Sequence, residues 1–279
     1  MDPKTVVAVI RGEEDLQRVV RAAAGVAGID KGHVIGTHSE PSPAAYVPAI
    51  GMEGIPYDTG IAEANRKRMA ELGESFEKAC EGELVSGEWR GFESFSGDSA
   101  ISAITSAFSA DIVVAQQADP DHPESGEINL EALLFETGRP VLMIPYTWTP
   151  PLKMDRIIIG WNGKKEAARA VFDALPFLKK AKSVEILLID PQENDEHSAA
   201  MAGADIAVSL ERHGIKAEVV NQPSGGIPVG EAIENRISET GADMLVMGAY
   251  SRSRVSEMLF GGATRTMLSS MMVPVLMSR

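Results

Sequence analysis

"PVLM", residues 140–143, recurs at residues 274–277, 134 positions further on. Each copy closes a series of the same elements. The first series opens on "VVAVIRG" (6–12) and the second on "RIIIGWNG" (156–163), each an apolar run of strand length that ends in a glycine turn. The spacing of Leu16, Val19, Val20 and Ala23, and again of Ala168, Val171, Phe172 and Leu175, predicts an amphipathic helix after each turn. Second strands follow at "GHVIGTHSE" (32–40) and "SVEILLID" (183–190). Third strands fall near "LVSGEWRGF" and "IKAEVV", with helical stretches beginning near Gly97 and Pro228. The fourth strands are "ADIVVAQ" (110–116) and "ADMLVMG" (242–248).

Near-continuous apolar strands alternating with amphipathic helices indicate parallel strands covered on both faces, because each crossover helix must pack back onto its sheet. The expected fold class is α/β: two tandem, open, five-stranded parallel-sheet domains with helices on both faces. The expected domains are 1–145 and 156–279, joined by the proline-bearing linker "YTWTPPLKMD" at 146–155. A chain of 279 residues accommodates two cores.

Composition narrows the function. The chain is 44% hydrophobic and 24% charged, as in ordinary globular domains. No apolar run approaches the ~18 residues that span a bilayer, and the first residues lack the order of a signal peptide, so a cytoplasmic protein without membrane contact is expected. The net charge of −14 argues against nonspecific attraction to nucleic acid. Residues 1–150 hold 11 Lys+Arg against 24 Asp+Glu, a net of −13; residues 151–279 hold 15 against 16, a net of −1. A phosphorylated ligand is therefore repelled less by the second half.

Cys80 is the only cysteine, so no intrachain disulfide can form; its charged helical context reads as a solvent-side or boundary position. The five histidines show no HExxH spacing and read as surface or loop residues, and no GxSxG elbow occurs. No catalytic or metal-ligating set is expected. Slow nucleotide hydrolysis stays open, but it requires a base that the sequence does not reveal. The 13 methionines read as core or interface packing.

One loop carries candidate binding chemistry: "GAYSRSRVSEMLFGGATR", residues 248–265, directly after the fourth strand of the second half. Loops at the carboxyl ends of parallel strands are where open α/β sheets bind ligands. Gly248, Gly261 and Gly262 permit close backbone approach, Ser251, Ser253 and Thr264 offer hydroxyls, and Arg252 and Arg254 offer charge. The spacing is neither a Walker loop nor GxGxxG. The competing reading is a glycine turn with solvated arginines.

Together with the duplicated strand pattern, this loop resembles the universal stress protein family, whose nucleotide-binding members carry G-x2-G-x9-G-[ST] after the fourth strand. Gly248 matches the first glycine, Ser251 replaces the second, Gly261 matches the third, and Gly262 replaces the Ser/Thr. The family's aspartate at the end of the first strand is Asn162 here, and Gly163 matches the turn that follows. Thr264 offers a hydroxyl two residues past Gly262.

The resemblance implies an adenine nucleotide alpha hydrolase-like fold whose last strands pair edge to edge in a pseudo-twofold arrangement. It also implies a stress-response sensor or regulatory module that takes ATP or another adenine nucleotide, with Mg2+ only alongside the nucleotide, and a possible homodimer. The first half departs further. Arg11 stands in place of the acid, only Gly12 persists, and Asp119, Asp121, Glu124 and Glu127 follow its fourth strand. Family-type binding is expected from the second domain alone. The alternative is a stress-linked interaction protein that binds no nucleotide, which the residues at Asn162, Ser251 and Gly262 favour.

Overall fold

The computed structural model describes residues 2–28, 32–42, 59–119, 128–149, 151–191, 199–250 and 262–279. The chain divides into two compact units, 2–139 and 140–279.

The first unit runs β1 (Thr5–Val9), α1 (Glu13–Ala27), β2 (His33–Pro41), α2 (Thr59–Gly82), β3 (Ser86–Ser94), α3 (Ser99–Ala107), β4 (Ile112–Gln116) and α4 (Leu130–Glu136). Its strands lie in the order β3-β2-β1-β4, all parallel. β1 and β4 are buried along nearly their whole length, as expected of strands whose two faces are both covered. Asp15 starts α1 by accepting hydrogen bonds from the backbone N–H groups of Arg11 and Gly12, each at 3.1 Å. Asp98, the residue before α3, caps that helix by accepting from the N–H of Ala100 at 2.8 Å.

The second unit runs β5 (Val141–Ile144), β6 (Arg156–Gly160), α5 (Lys165–Asp173), α6 (Leu175–Leu178), β7 (Ser183–Ile189), α7 (Ala199–Arg212), β8 (Ala217–Gln222), α8 (Val229–Thr240), β9 (Met244–Gly248), α9 (Gly262–Ser270) and β10 (Val275–Ser278). The order is β5-β10-β9-β6-β7-β8. All of these pairs are parallel except β5 with β10. The sequence β8-β7-β6-β9 repeats the order β3-β2-β1-β4 of the first unit.

β5 and β10 are the two "PVLM" strands. They pair antiparallel, with Val141 opposite Met277, Leu142 opposite Leu276, and Met143 opposite Val275. Two identical segments in this register are related by a local twofold axis through the leucine pair. The pairing gives each strand a neighbour where a lone sheet edge would otherwise be open.

Three sequence expectations are corrected. Leu16, Val19, Val20 and Ala23 are buried as read, but Phe172 is 45% exposed, with its ring in a T-shaped pair with His213. The buried face of α5 consists of Glu166, Ala167, Ala170 and Val171, because Gly248 draws the first turn of that helix against β9. Cys80 is buried beside Gly87 and Phe76 on the inner face of α2; burial, with the Glu77 charge adding to it, pushes its thiol up to about 11.

His38 is also buried. Its Nδ1 lies 3.0 Å from the Ile10 carbonyl oxygen, its Nε2 lies 3.4 Å from Glu40 Oε1, and its ring stacks on Trp89. His122 and His197 lie outside the described residues.

Candidate functional site

β6 ends at Gly160, and the next residues turn toward α5. The N–H of Trp161 still donates to the Leu187 carbonyl at 2.9 Å, which fixes where the turn begins. Asn162 Oδ1 then accepts the N–H of Lys164 at 3.1 Å, so the side-chain carbonyl of this exposed residue shapes the entry to α5. Gly163 adopts φ +71°, a left-handed conformation that a larger residue enters only with strain.

At the end of β9, Gly248 packs directly on α5. A Cβ there would lie 2.5 Å from the carbonyl carbon of Glu166. The glycine is therefore required by strand-on-helix packing, whatever else it does. Tyr250 follows with φ +49°, and its N–H donates to Thr264 Oγ1 at 3.3 Å. Thr264 is 3% exposed, so the hydroxyl expected to face a phosphate is buried against the chain's own backbone. Gly262 opens α9 and is exposed, and a Cβ on it would meet no atom within 4 Å. Ser251, Arg252 and Gly261, with Ser253 and Arg254, lie outside the described residues.

A small cavity of about 90 Å³ sits at these strand ends. Asn162, Gly248 and Ala263 line it on the side of the turns, and Leu187, Ile189 and Val229 supply part of its apolar wall. Gly163, Gly262 and Thr264 flank the site without lining it. The volume is small against the ~300–1,000 Å³ of pockets that enclose a drug-sized ligand, so the described walls have room for only part of one.

Sequence reasoning missed those apolar walls. It also missed Asp190, which directly follows β7 at φ +46° and accepts the N–H of Ser224 at 2.9 Å. That bond ties the segment ahead of α8 to the end of β7, and the Ser224 hydrogen bonds hold the Asp190 carboxyl below its ordinary range. Asp190 and Tyr250, both non-glycine residues in left-handed conformations, follow β7 and β9, the two strands that flank β6. A polar residue just past a strand and just before Pro191 is the sequence signal that was available.

A larger cavity of about 600 Å³ lies at the opposite, amino ends of β6 and β7. Its charged groups are already engaged: Lys182 with Asp155 at 2.7 Å, Glu185 with Arg236 at 2.7 Å, and Arg156 with the Thr240 carbonyl at 2.8 Å. The free N–H groups of helix starts lie at the other end of the sheet, so the smaller cavity is the better candidate.

The first unit is built differently at the matching place. β1 pairs Val9 with Ala115 and β6 pairs Gly160 with Met247, so Gln116 stands where Gly248 stands. Gln116 is fully buried and accepts Arg18 Nε at 2.7 Å. Arg11 lies with its side chain 5% exposed, 3.2 Å from Asp15, and also donates to the Gln117 carbonyl. Burial pushes the Asp15 carboxyl up, against the opposing pull of the Arg11 charge and the Gly12 and Arg11 N–H groups. Asp119 is partly exposed past β4, while Asp121, Glu124 and Glu127 lie outside the described residues. The chain's own side chains thus occupy this end of the first sheet.

Known proteins place this geometry. A universal stress protein of Archaeoglobus fulgidus matches at 16% identity and a TM-score of 0.66, over 100% of this chain and 97% of its own. A functionally unknown protein of Pseudomonas aeruginosa matches at 16% identity and a TM-score of 0.61, over 99% and 92%. Likeness at this identity shows the fold, which is the adenine nucleotide alpha hydrolase-like α/β fold. No curated protein sequence matches the chain. The family model for the universal stress protein family matches residues 153–279, the part that holds the small cavity. Over those residues the second half of the chain is similar to the universal stress protein family.

Proposed function

We propose that this protein is an adenine-nucleotide-binding sensor or regulatory module of the stress response, working in the cytoplasm, with its nucleotide site in the second unit. One observation carries the reading. Two ends of similarly ordered sheets differ in that one is filled by Arg11, Asp15, Gln116 and Arg18, while the other keeps a cavity between Asn162, Gly248 and an apolar wall.

A flat base suits the apolar wall of Leu187, Ile189 and Val229, and Asn162 replaces the family's acid with a neutral hydrogen-bonding amide. The phosphates would run toward the start of α9, in a half of the chain whose near-neutral charge repels them least. Among the described residues no group of three or more His, Cys, Asp or Glu is placed to hold a metal ion; any Mg2+ belongs to this reading only as a companion of the nucleotide. No helix among the described residues is long and apolar enough to cross a membrane.

Mass spectrometry of small molecules released from freshly purified, denatured protein tests the reading without presuming the ligand. An adenine nucleotide near stoichiometric amount is the expected result. Protein free of nucleotide that also stays unliganded in millimolar ATP, ADP and AMP points instead to an interaction protein, the reading that buried Thr264 favours.

A further inference from the structure

We propose that the indole N–H of Trp161 recognises the ligand of the second unit, donating a hydrogen bond to an acceptor atom on the end that enters the small cavity. The inference rests on the nucleotide reading above, and under it the acceptor is an unprotonated ring nitrogen of the adenine. Trp161 directly follows β6 and forms part of the cavity wall, together with Leu187, Ile233 and Met247. It is 9% exposed, and its Nε1 is closed to water and has no hydrogen-bond partner. A buried tryptophan N–H ordinarily finds an acceptor, so an unpaired one in a cavity wall calls for an occupant.

The fold itself does not account for the unpaired donor. Trp89 of the first unit donates its Nε1–H to the Met69 carbonyl at 3.1 Å, so the chain pairs an indole where the ring only packs α2 on β3. The place of Trp161 in the first unit belongs to Ile10. Its backbone N–H donates to the Thr37 carbonyl just as that of Trp161 donates to the Leu187 carbonyl, each at 2.9 Å. Ile10 is fully buried at the sheet end that Arg11, Asp15 and Gln116 fill. A side chain without a polar atom thus suffices there, and the donor stands where the cavity is.

Chemistry narrows what pairs with it. An indole N–H donates and accepts nothing, so its partner is an acceptor. The neighbouring wall residues Leu187, Ile233 and Met247 are buried and apolar. A phosphate or carboxylate placed among them would gain one donor and lose the rest of its hydration uncompensated. A neutral acceptor set in the rim of a flat, otherwise apolar ring meets both demands. Adenine has that form, with unprotonated nitrogens at N1, N3 and N7.

Two measurements on the full chain test the assignment. In nitrogen-15-labelled protein the three tryptophans give three indole N–H resonances, and the one missing from Trp161→Phe belongs to Trp161. Saturating ATP should move that proton downfield and leave the Trp89 resonance in place. Calorimetric titration with ATP should find Trp161→Phe about five- to tenfold weaker than wild type, the yield of one hydrogen bond. Among the deaza analogues of ATP that replace N1, N3 or N7 by C–H, at least one should weaken by a similar factor in wild type and by none in Trp161→Phe. Benzothienylalanine at position 161 keeps both rings and removes only the N–H, so it should reproduce the loss even where phenylalanine disturbs the wall. Circular dichroism should show both variants folded, since neither removes a hydrogen bond from the free protein. An unmoved Trp161 resonance, equal ATP affinity in wild type and both variants, or deaza losses that persist in the variants overturns the assignment while the nucleotide reading stands. A wild type that binds no ATP at millimolar concentration overturns that reading, and this inference with it.

Discussion

Gly248 at the end of β9 lies so close to α5 that a single added carbon on it would sit 2.5 Å from the carbonyl carbon of Glu166. The neighbour is backbone at a helix start and cannot swing away. Gly248→Ala is therefore expected to destabilise the protein by about 1–3 kcal/mol through overpacking. Denaturant unfolding checks this, and an unchanged midpoint would show that α5 shifts freely. Lost nucleotide binding in this variant would report damage to the fold, not the loss of a phosphate contact.

Gly262 is the opposite case. It is exposed at the start of α9, with open space where a Cβ would project. Gly262→Ser restores the hydroxyl that nucleotide-binding members of the family carry. Stability should change by no more than about 0.5 kcal/mol, as for surface substitutions generally. Affinity for ATP should rise about three- to tenfold, the yield of one added hydrogen bond of roughly 0.5–1.5 kcal/mol. Calorimetric titration reads both the sign and the size, and a weaker variant would place the phosphates elsewhere.

Leu142 and Leu276 are fully buried and face each other at the centre of the β5–β10 ladder. Each Leu→Ala change should cost about 2–5 kcal/mol. Because the two side chains share one site, the double variant should depart from additivity by roughly 0.5 kcal/mol or more. Additive losses in urea unfolding would mean that the two leucines pack on separate neighbours.

Glu40 links stability to acid. Burial alone would raise its carboxyl, but hydrogen bonds from His38 and Arg68, with the Arg68 charge, outweigh it and hold the group down to about 2. A carboxyl depressed in the folded state stabilises that state above its unfolded pKa, and this contribution fades as pH falls from about 4.5 toward 2. Thermal melts across pH 2 to 6 should show that loss in the wild type. Glu40→Gln should be less stable at pH 6 and should change less over the same range. Parallel curves would remove Glu40 from the acid response.

The strands were legible because β-branched runs such as "VVAV" and "RIIIG" are buried on both faces and leave a continuous apolar signal. The turns were legible through Gly12, Gly163 and Gly248. Burial of polar residues was not, because it depends on partners distant in sequence: His38 is held by Ile10, and Glu40 by Arg68. Cys80 was misread for a related reason. α2 has a charged composition, and only the close approach of Gly87 reveals which side of it turns inward. At the candidate site, Asn162 and Gly248 were found by their place after strands, whereas Ile189 and Val229 came into view only once three strand ends and a helix were set side by side.

Calorimetric titration of the intact chain with ATP, ADP and AMP tests the central claim most directly, with Val229→Asp and Arg11→Ala alongside. Val229 is 44% exposed on the cavity wall, so a carboxylate there should leave the fold intact yet oppose an apolar base and its phosphates. The account predicts one site per chain in the wild type, affinity at least tenfold weaker in Val229→Asp, and unchanged affinity in folded Arg11→Ala. No heat at millimolar nucleotide in the wild type, or equal loss from both variants, would contradict it.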